Sequence, residues 1–284
     1  MSHRLIVGNC LGAMKELPDN SIDGCVTDPP YGMGMEAWDH SVPTSEIWVE
    51  VKRILKPGAF CLSFCSPQLY HRMACAVEDG GFLIKDQIIW MVTTKMPKKN
   101  KLKPAHEPIV VAQKPFKGSL KKNHEEWNVG LIDTQNTRIP WDGKPPTGWV
   151  KGGLQRLTFG KDGKTTGTQK EFGKEDANPA GRYPSNIIGY FDNPAHQKYF
   201  YAPRVTRKER GEYNDHPTPK PISLMSYLVK VFVPEGGTVI DPFCGSGSTG
   251  IASLLENRKF IGIDLETKYI DISERRIRDY CMPS

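Results

Sequence analysis

Apolar residues recur along this chain in two rhythms, and where those rhythms hold or fail divides it into three parts. In residues 1–92, short apolar runs at 4–7, 23–27, 59–64 and 82–90 predict strands. They alternate with stretches of helical period at 11–17, 45–55 and 68–78. In the middle stretch Ile47, Trp48, Val51, Ile54 and Leu55 lie close to one face, and Lys56-Pro57-Gly58 stops the helix. A strand at 107–112 follows a Lys- and Pro-rich turn. From about 115 to 205 the periodicity dissolves into Gly, Lys, Thr and Asn, with Trp127, Trp141 and Trp149 interspersed. Residues 161–184 carry too little apolar surface to fold unaided. Regular structure resumes with a helix at 222–233, a strand at 238–241, a helix at 249–256, a strand at 259–264 and a terminal helix at 267–280. Strands alternating with helices predict a parallel sheet covered on both faces.

Composition narrows this to an ordinary globular chain. The 284 residues suffice for one large domain or two small ones, and a quarter of them are charged. The first residues hold no apolar leader and no run reaches the roughly 18 residues of a spanning helix, so no membrane association is expected and the expected location is cytoplasmic. Seven cysteines sit mainly in apolar runs without C-x-x-C spacing, which predicts reduced core thiols and no metal site. Charge is unevenly spread: residues 95–215 hold 23 Lys+Arg against 13 Asp+Glu, while the rest of the chain holds 15 against 19. That concentration points to a polyanion partner.

Three constellations carry candidate chemistry. The first, Asp241-Pro242-Phe243-Cys244-Gly245-Ser246-Gly247-Ser248-Thr249-Gly250, runs from a strand through a glycine-rich turn into a helix. Its glycines permit close backbone approach to a ligand, and Asp264, 19 residues after Gly245 at the end of the next strand, is placed to grip ribose hydroxyls. Alone it does not separate NAD from another adenosine cofactor. The second, Asp28-Pro29-Pro30-Tyr31, ends a strand. Its prolines remove two backbone donors and leave carbonyls and a carboxylate as an acceptor-only corner beside an aromatic ring. That inventory suits a flat ring bearing an exocyclic amine, although a plain proline turn has the same composition. The third, His216-Pro217-Thr218-Pro219-Lys220-Pro221, leads into a helix, where Lys220 could meet a carboxylate or phosphate.

Taken together and in this order, the three resemble the motifs of S-adenosylmethionine-dependent amino DNA methyltransferases of the beta class, over residues 1–112 and 213–280. Leu17-Pro18-Asp19-Asn20-Ser21-Ile22-Asp23 and Arg53-Ile54-Leu55-Lys56-Pro57-Gly58 are smaller matches to the same family. One departure is Asn9, where the family commonly has Asp beside the cofactor adenine. The resemblance implies a doubly wound, mostly parallel Rossmann-like methyltransferase sheet with an antiparallel hairpin, plus an irregular basic DNA-recognition insert. The catalytic half would be residues 1–112, the target-recognition region 113–212, and the cofactor half of the same domain 213–284. It implies double-stranded DNA as partner, self-association as a homodimer, and a prokaryotic or phage origin.

The resemblance also implies residue roles. Asp28, Pro29, Pro30 and Tyr31 would be catalytic, with Asp28 and the Pro29 carbonyl accepting from the amine, Tyr31 stacking on an extruded base and no cysteine acting as nucleophile. Asn9, Cys10, Asp28, Thr218, Lys220, Asp241, Pro242, Phe243, Gly245, Ser246, Gly247, Thr249 and Asp264 would surround the cofactor. Lys98, Lys99, Lys101, Lys103, Lys121, Lys122, Arg138 and Arg156 would meet DNA, and Gln135, Asn136 and Gln155 are candidate base readers. Asp at the first motif position favours N6 of adenine, with N4 of cytosine as the alternative. A module that binds DNA without catalysis, using the cofactor only for stability, is the reading from another class.

Overall fold

The computed structural model describes residues 2–32, 34, 40–92, 102, 104–141, 149–150, 174–175, 177–189 and 219–281. Its strands in chain order are β1 (His3–Val7), β2 (Ile22–Thr27), β3 (Leu55–Phe64), β4 (Leu83–Met91), β5 (His106–Gln113), β6 (Trp149–Val150), β7 (Lys174–Glu175), β8 (Ile187–Ile188), β9 (Thr238–Asp241) and β10 (Lys259–Asp264). The helices are α1 (Cys10–Lys15), α2 (Ser45–Ile54), α3 (Tyr70–Asp79), α4 (Leu120–Trp127), α5 (Ile222–Phe232), α6 (Ser248–Leu255) and α7 (Thr267–Cys281). Eight strands form one sheet in the order β1-β10-β9-β2-β3-β5-β4-β8, and β6 pairs with β7 separately. Every neighbouring pair in the large sheet is parallel except those of β5, which runs antiparallel between β3 and β4. This is the mostly parallel Rossmann-like sheet with an antiparallel hairpin.

Alternation along the strands explains why both faces are covered. Val26, Phe60, Leu62 and Phe64 point to the face packed by α5 and α6, through Leu224, Leu228 and Ile251. Cys25, Cys61 and Cys65 belong to the opposite cluster, with Trp48, Val51 and Ile54 of α2 and Met73 and Val77 of α3. All six residues of β2 are buried, as a central parallel strand requires. Cys25, Cys61, Cys65 and Cys244 are core residues, whereas Cys75 is exposed.

The order of the strands creates the crevice. From β2 the chain moves to β3 on one side, while from β9 it moves to β10 on the other. Strand order therefore reverses between β9 and β2, and open sheets of this kind bind ligands at the carboxyl ends of strands flanking such a reversal.

The short strands β6, β7 and β8 lie in the stretch where periodicity was expected to dissolve, and two further elements differ from the sequence-based expectation. Strand β3 begins at Leu55, directly after α2, so Lys56-Pro57-Gly58 stops the helix but already belongs to the strand. Helix α4 lies where periodicity was expected to dissolve. Its only buried residue is Asn123, whose amide donates to the Pro57 carbonyl at 3.0 Å, so no apolar stripe announces it. Ser119 caps its start through the Lys122 N–H, and Asn128 ends it in a left-handed conformation.

Candidate functional site

Two strand ends are bound together at the reversal point by one carboxylate. Asp241 closes β9 and is buried; its Oδ1 accepts from the Thr27 hydroxyl of β2 at 2.6 Å and from the Phe243 N–H at 3.0 Å. Its Oδ2 accepts from Thr249 of α6 at 2.7 Å. Burial pushes the Asp241 carboxyl up to about 6, against the three donors that favour its ionised form. The corner that starts at Asp28 and the glycine loop that starts after Asp241 thus rise side by side.

At the corner, the Tyr31 hydroxyl donates to Asp28 Oδ1 at 2.6 Å and lies 3.5 Å from Glu107 Oε2. Lys220, just before α5, donates to Asp28 Oδ2 and sits 3.6 Å from Glu107 Oε2. The Lys220 ammonium also lies 5.2 Å from the centre of the Phe64 ring and 5.6 Å from that of Tyr31. Lys220 is only 8% exposed. Burial alone would lower its basicity, but the Asp28 and Glu107 carboxylates outweigh that and hold the amine above its ordinary range. Burial, then Asp28 and Glu107, pushes the Tyr31 phenol well up, so it stays a neutral donor. The Cys65 thiol beside them is pushed up to about 12, chiefly by burial, which leaves it a poor nucleophile.

The glycine loop is held from behind. Gly247 adopts φ +78°, and a Cβ there would come within 2.1 Å of Ser273 Oγ on α7. Its close approach is therefore to α7. Arg276 of α7, fully buried, donates to the Ser246 carbonyl, to Ser246 Oγ at 2.9 Å and to Ser248 Oγ at 3.3 Å. Asp241, Ser246, Gly247 and Thr249 thus turn toward the scaffold, while Phe243 is only half-buried. Asp264 ends β10 with Oδ2 accepting from the Gly245 N–H at 2.8 Å and Oδ1 from the Glu266 N–H at 3.0 Å. Burial raises its carboxyl above the usual range, opposed by those N–H groups. Asn9 caps α1, its amide oxygen accepting from the Leu11 N–H at 2.9 Å. Cys10 opens that helix, its thiol pushed up by burial.

These residues fit a nucleoside-bearing cofactor. Gly8, tied by its N–H to the Asp264 carbonyl at 2.8 Å, has nothing within 4 Å of where a Cβ would stand. That opening lies beside a half-exposed carboxylate with acceptor capacity left, as ribose hydroxyls need. At the end of β3, Ser66 Oγ is buried and has no hydrogen-bond partner among the described residues.

Of the other expected site residues, Thr218, Lys98, Lys99, Lys101, Lys103 and Arg156 lie outside the described residues, as does Gln155. Lys121 and Lys122 are exposed on α4, which is anchored at Pro57 near the start of β3, the end of that strand away from Phe64 and the corner. Arg138 donates to the Gly181 carbonyl at 2.9 Å and its guanidinium lies 4.4 Å from the centre of the Tyr183 ring. Gln135 and Asn136 wrap Asp133, whose own N–H bonds to Val231 at the end of α5 away from Lys220. Glu107 and Ser66 were not singled out by sequence. Glu107 reads as a polar residue entering a strand, and only the insertion of β5 beside β3 brings it to Lys220. No helix among the described residues is long and apolar enough to cross a membrane, and they contain no group of three or more His, Cys, Asp or Glu able to hold a metal ion.

Comparison with known proteins places this geometry. The profile of the DNA methylase family matches residues 22–275. The Type II methyltransferase M.HpaI of Haemophilus parainfluenzae is 25% identical over 98% of this chain and 74% of its own length. The DNA adenine methyltransferase YhdJ of Escherichia coli K12 is 26% identical over 96% of this chain and 82% of its own. Among solved structures, TTHA0409 of Thermus thermophilus, a putative DNA modification methylase complexed with S-adenosyl-L-methionine, superposes with a TM-score of 0.55. It is 18% identical and covers 99% of this chain and 97% of that one, a likeness of fold.

Proposed function

The chain belongs to the DNA methylase family, whose members are S-adenosylmethionine-dependent amino methyltransferases acting on adenine N6 or cytosine N4, and from that premise we propose that it methylates N6 of an adenine turned out of duplex DNA. The cofactor is S-adenosylmethionine. The observation that carries the proposal is the Asp241 carboxylate, which binds the β2 end bearing Asp28 to the β9 loop bearing Phe243. An amine acceptor and a cofactor loop thereby share one crevice. The permuted order of the motifs supports a beta-class assignment, with residues 113–212 as target-recognition region. The name of the Escherichia coli relative supports adenine.

When bound, the cofactor supplies an electrophilic methyl carbon. The chain's own residues orient the amine. Tyr31 and Lys220 each engage one oxygen of Asp28 and fix the carboxylate, which keeps lone pairs free to accept an N–H. Pro29 contributes a carbonyl and no competing donor. With both N–H bonds drawn to acceptors, the amine nitrogen's lone pair is aimed at the methyl, and orientation supplies much of the rate. Asp28 then takes the proton, which methylation has made acidic. Tyr31 stacks on the extruded base, and stacking together with phosphate contacts offsets a flipping cost of a few kcal/mol. Asp264 would hold the ribose, and Phe243 would pack on the cofactor.

Mapping modified bases in DNA from cells expressing this chain tests the reading and gives base and sequence context together. N6-methyladenine at one recurring sequence is expected. N4-methylcytosine would reassign the target, and unmodified DNA would favour the binding module without catalysis.

A further inference from the structure

The corner holds more negative charge than one acceptor needs. Asp28 and Glu107 bring two carboxylates, Lys220 brings one ammonium, and the Tyr31 phenol is held neutral. Both carboxylates reach the same buried ammonium, Asp28 by a hydrogen bond and Glu107 at 3.6 Å. By formal charge the cluster sets two carboxylates against one ammonium, in a site where Lys220 and Glu107 are both nearly fully buried. Asp28 is accounted for by the amine. Glu107 meets the Tyr31 hydroxyl and the Lys220 ammonium, and a neutral amide of the same shape could make both of these contacts.

We propose that Glu107 is a specificity-determining residue: it sets the charge of the crevice so that the site prefers the cationic sulfonium of the cofactor to the neutral thioether left after methyl transfer. The inference rests on the cofactor reading above and deepens it. With two carboxylates facing one ammonium, a sulfonium entering beside Asp28 balances the cluster. Once the methyl has gone to the amine, the sulfur has kept the electron pair of its broken bond and is neutral. The proton displaced from the amine passes to Asp28. The attraction that favoured the cofactor is then gone, and the demethylated product leaves a site that no longer matches it. Glu107 acts through charge and through Lys220, without contacting the reacting atoms.

The test is equilibrium binding of three ligands to the full chain: S-adenosylmethionine, its demethylated thioether, and an analogue carrying an ammonium in place of the sulfonium. For Glu107→Gln the expected result is a loss on the order of tenfold for both cations, with the thioether within about twofold of the parent. Glu107→Asp, which keeps the charge, restores most of the preference. Lys220→Gln, which removes the cation, moves the ratio of sulfonium to thioether affinity the other way, and it reads the same charge should Glu107→Gln fail to fold. Equal weakening of all three ligands, or an unchanged ratio in both Glu107→Gln and Lys220→Gln, overturns the proposal and leaves Glu107 a packing residue. Failure of the parent chain to bind any of the three would instead overturn the cofactor reading itself.

Discussion

Asp241 shows how a single side chain can be given over to architecture at the centre of a site. Three donors, from β2, α6 and the loop between β9 and α6, converge on its carboxylate, yet burial still dominates and raises its titration to about 6. The sign of the consequence follows from proton linkage. Between about 4, where a free carboxyl titrates, and about 6, the folded chain holds a proton that the unfolded chain has lost, so stability falls as pH rises through that window. The cost is complete above about 6, and a shift of this size corresponds to about 3 kcal/mol. Asp241→Asn has no such titration. The melting temperature of the variant relative to the parent should therefore be more favourable at pH 7.5 than at pH 4.5, and a difference that is flat or reversed across that range would refute the burial argument. Contiguous motifs of this kind are legible because Asp28 to Tyr31 and Asp241 to Thr249 carry their chemistry within a few residues of chain. Glu107 is not, because nothing near it in sequence hints at Lys220, 113 positions away.

Element boundaries follow from apolar period almost throughout the two sheet-forming segments, and α4 shows where that signal stops. LKKNHEEW is mostly polar, and it is attached by the buried Asn123 amide to the Pro57 carbonyl and by Trp127 packed against the core. Asn123→Ala should cost about 1–3 kcal/mol, read as a lower denaturant midpoint, because the carbonyl is left without its donor. Methyl transfer per folded molecule should be unchanged, since α4 sits at the start of β3 and the corner lies beyond its end. The same placement sets Lys121 and Lys122 apart from the corner. Lys121 and Lys122 ride on α4, and Lys121 lies 3.9 Å from Glu125. Replacing Lys98 and Lys99 by Ala should reduce the salt slope of DNA binding by about 2, whereas replacing Lys121 and Lys122 should leave it unaltered. Equal effects of the two pairs would put α4 in the DNA interface after all.

At the scale of the whole molecule, the fold joins residues that are most distant in the chain. β9 and β10, from the last quarter of the sequence, are inserted between β1 and β2. The crevice needs both ends of the chain, because the Asp28 corner lies near one and the glycine loop near the other. The alternation of strands and helices makes the sheet class readable; the insertion itself is not written in any local pattern, and only the order of the motifs hints at it. Arg276 and Ser273 extend the same logic, since the terminal helix α7 holds the loop from behind. The central claim is that a methyl group crosses from the β9 loop to an amine held at Asp28. Single-turnover transfer of an isotopically labelled methyl group from S-adenosylmethionine to duplex DNA, followed by mass analysis of the nucleosides, measures that crossing. The parent chain should place the label on N6 of adenine, and Asp28→Ala, assayed at saturating cofactor, should be slower by about 10²–10⁴-fold. Label transfer by Asp28→Ala at the parent's rate, or no transfer by the parent chain, would contradict the account.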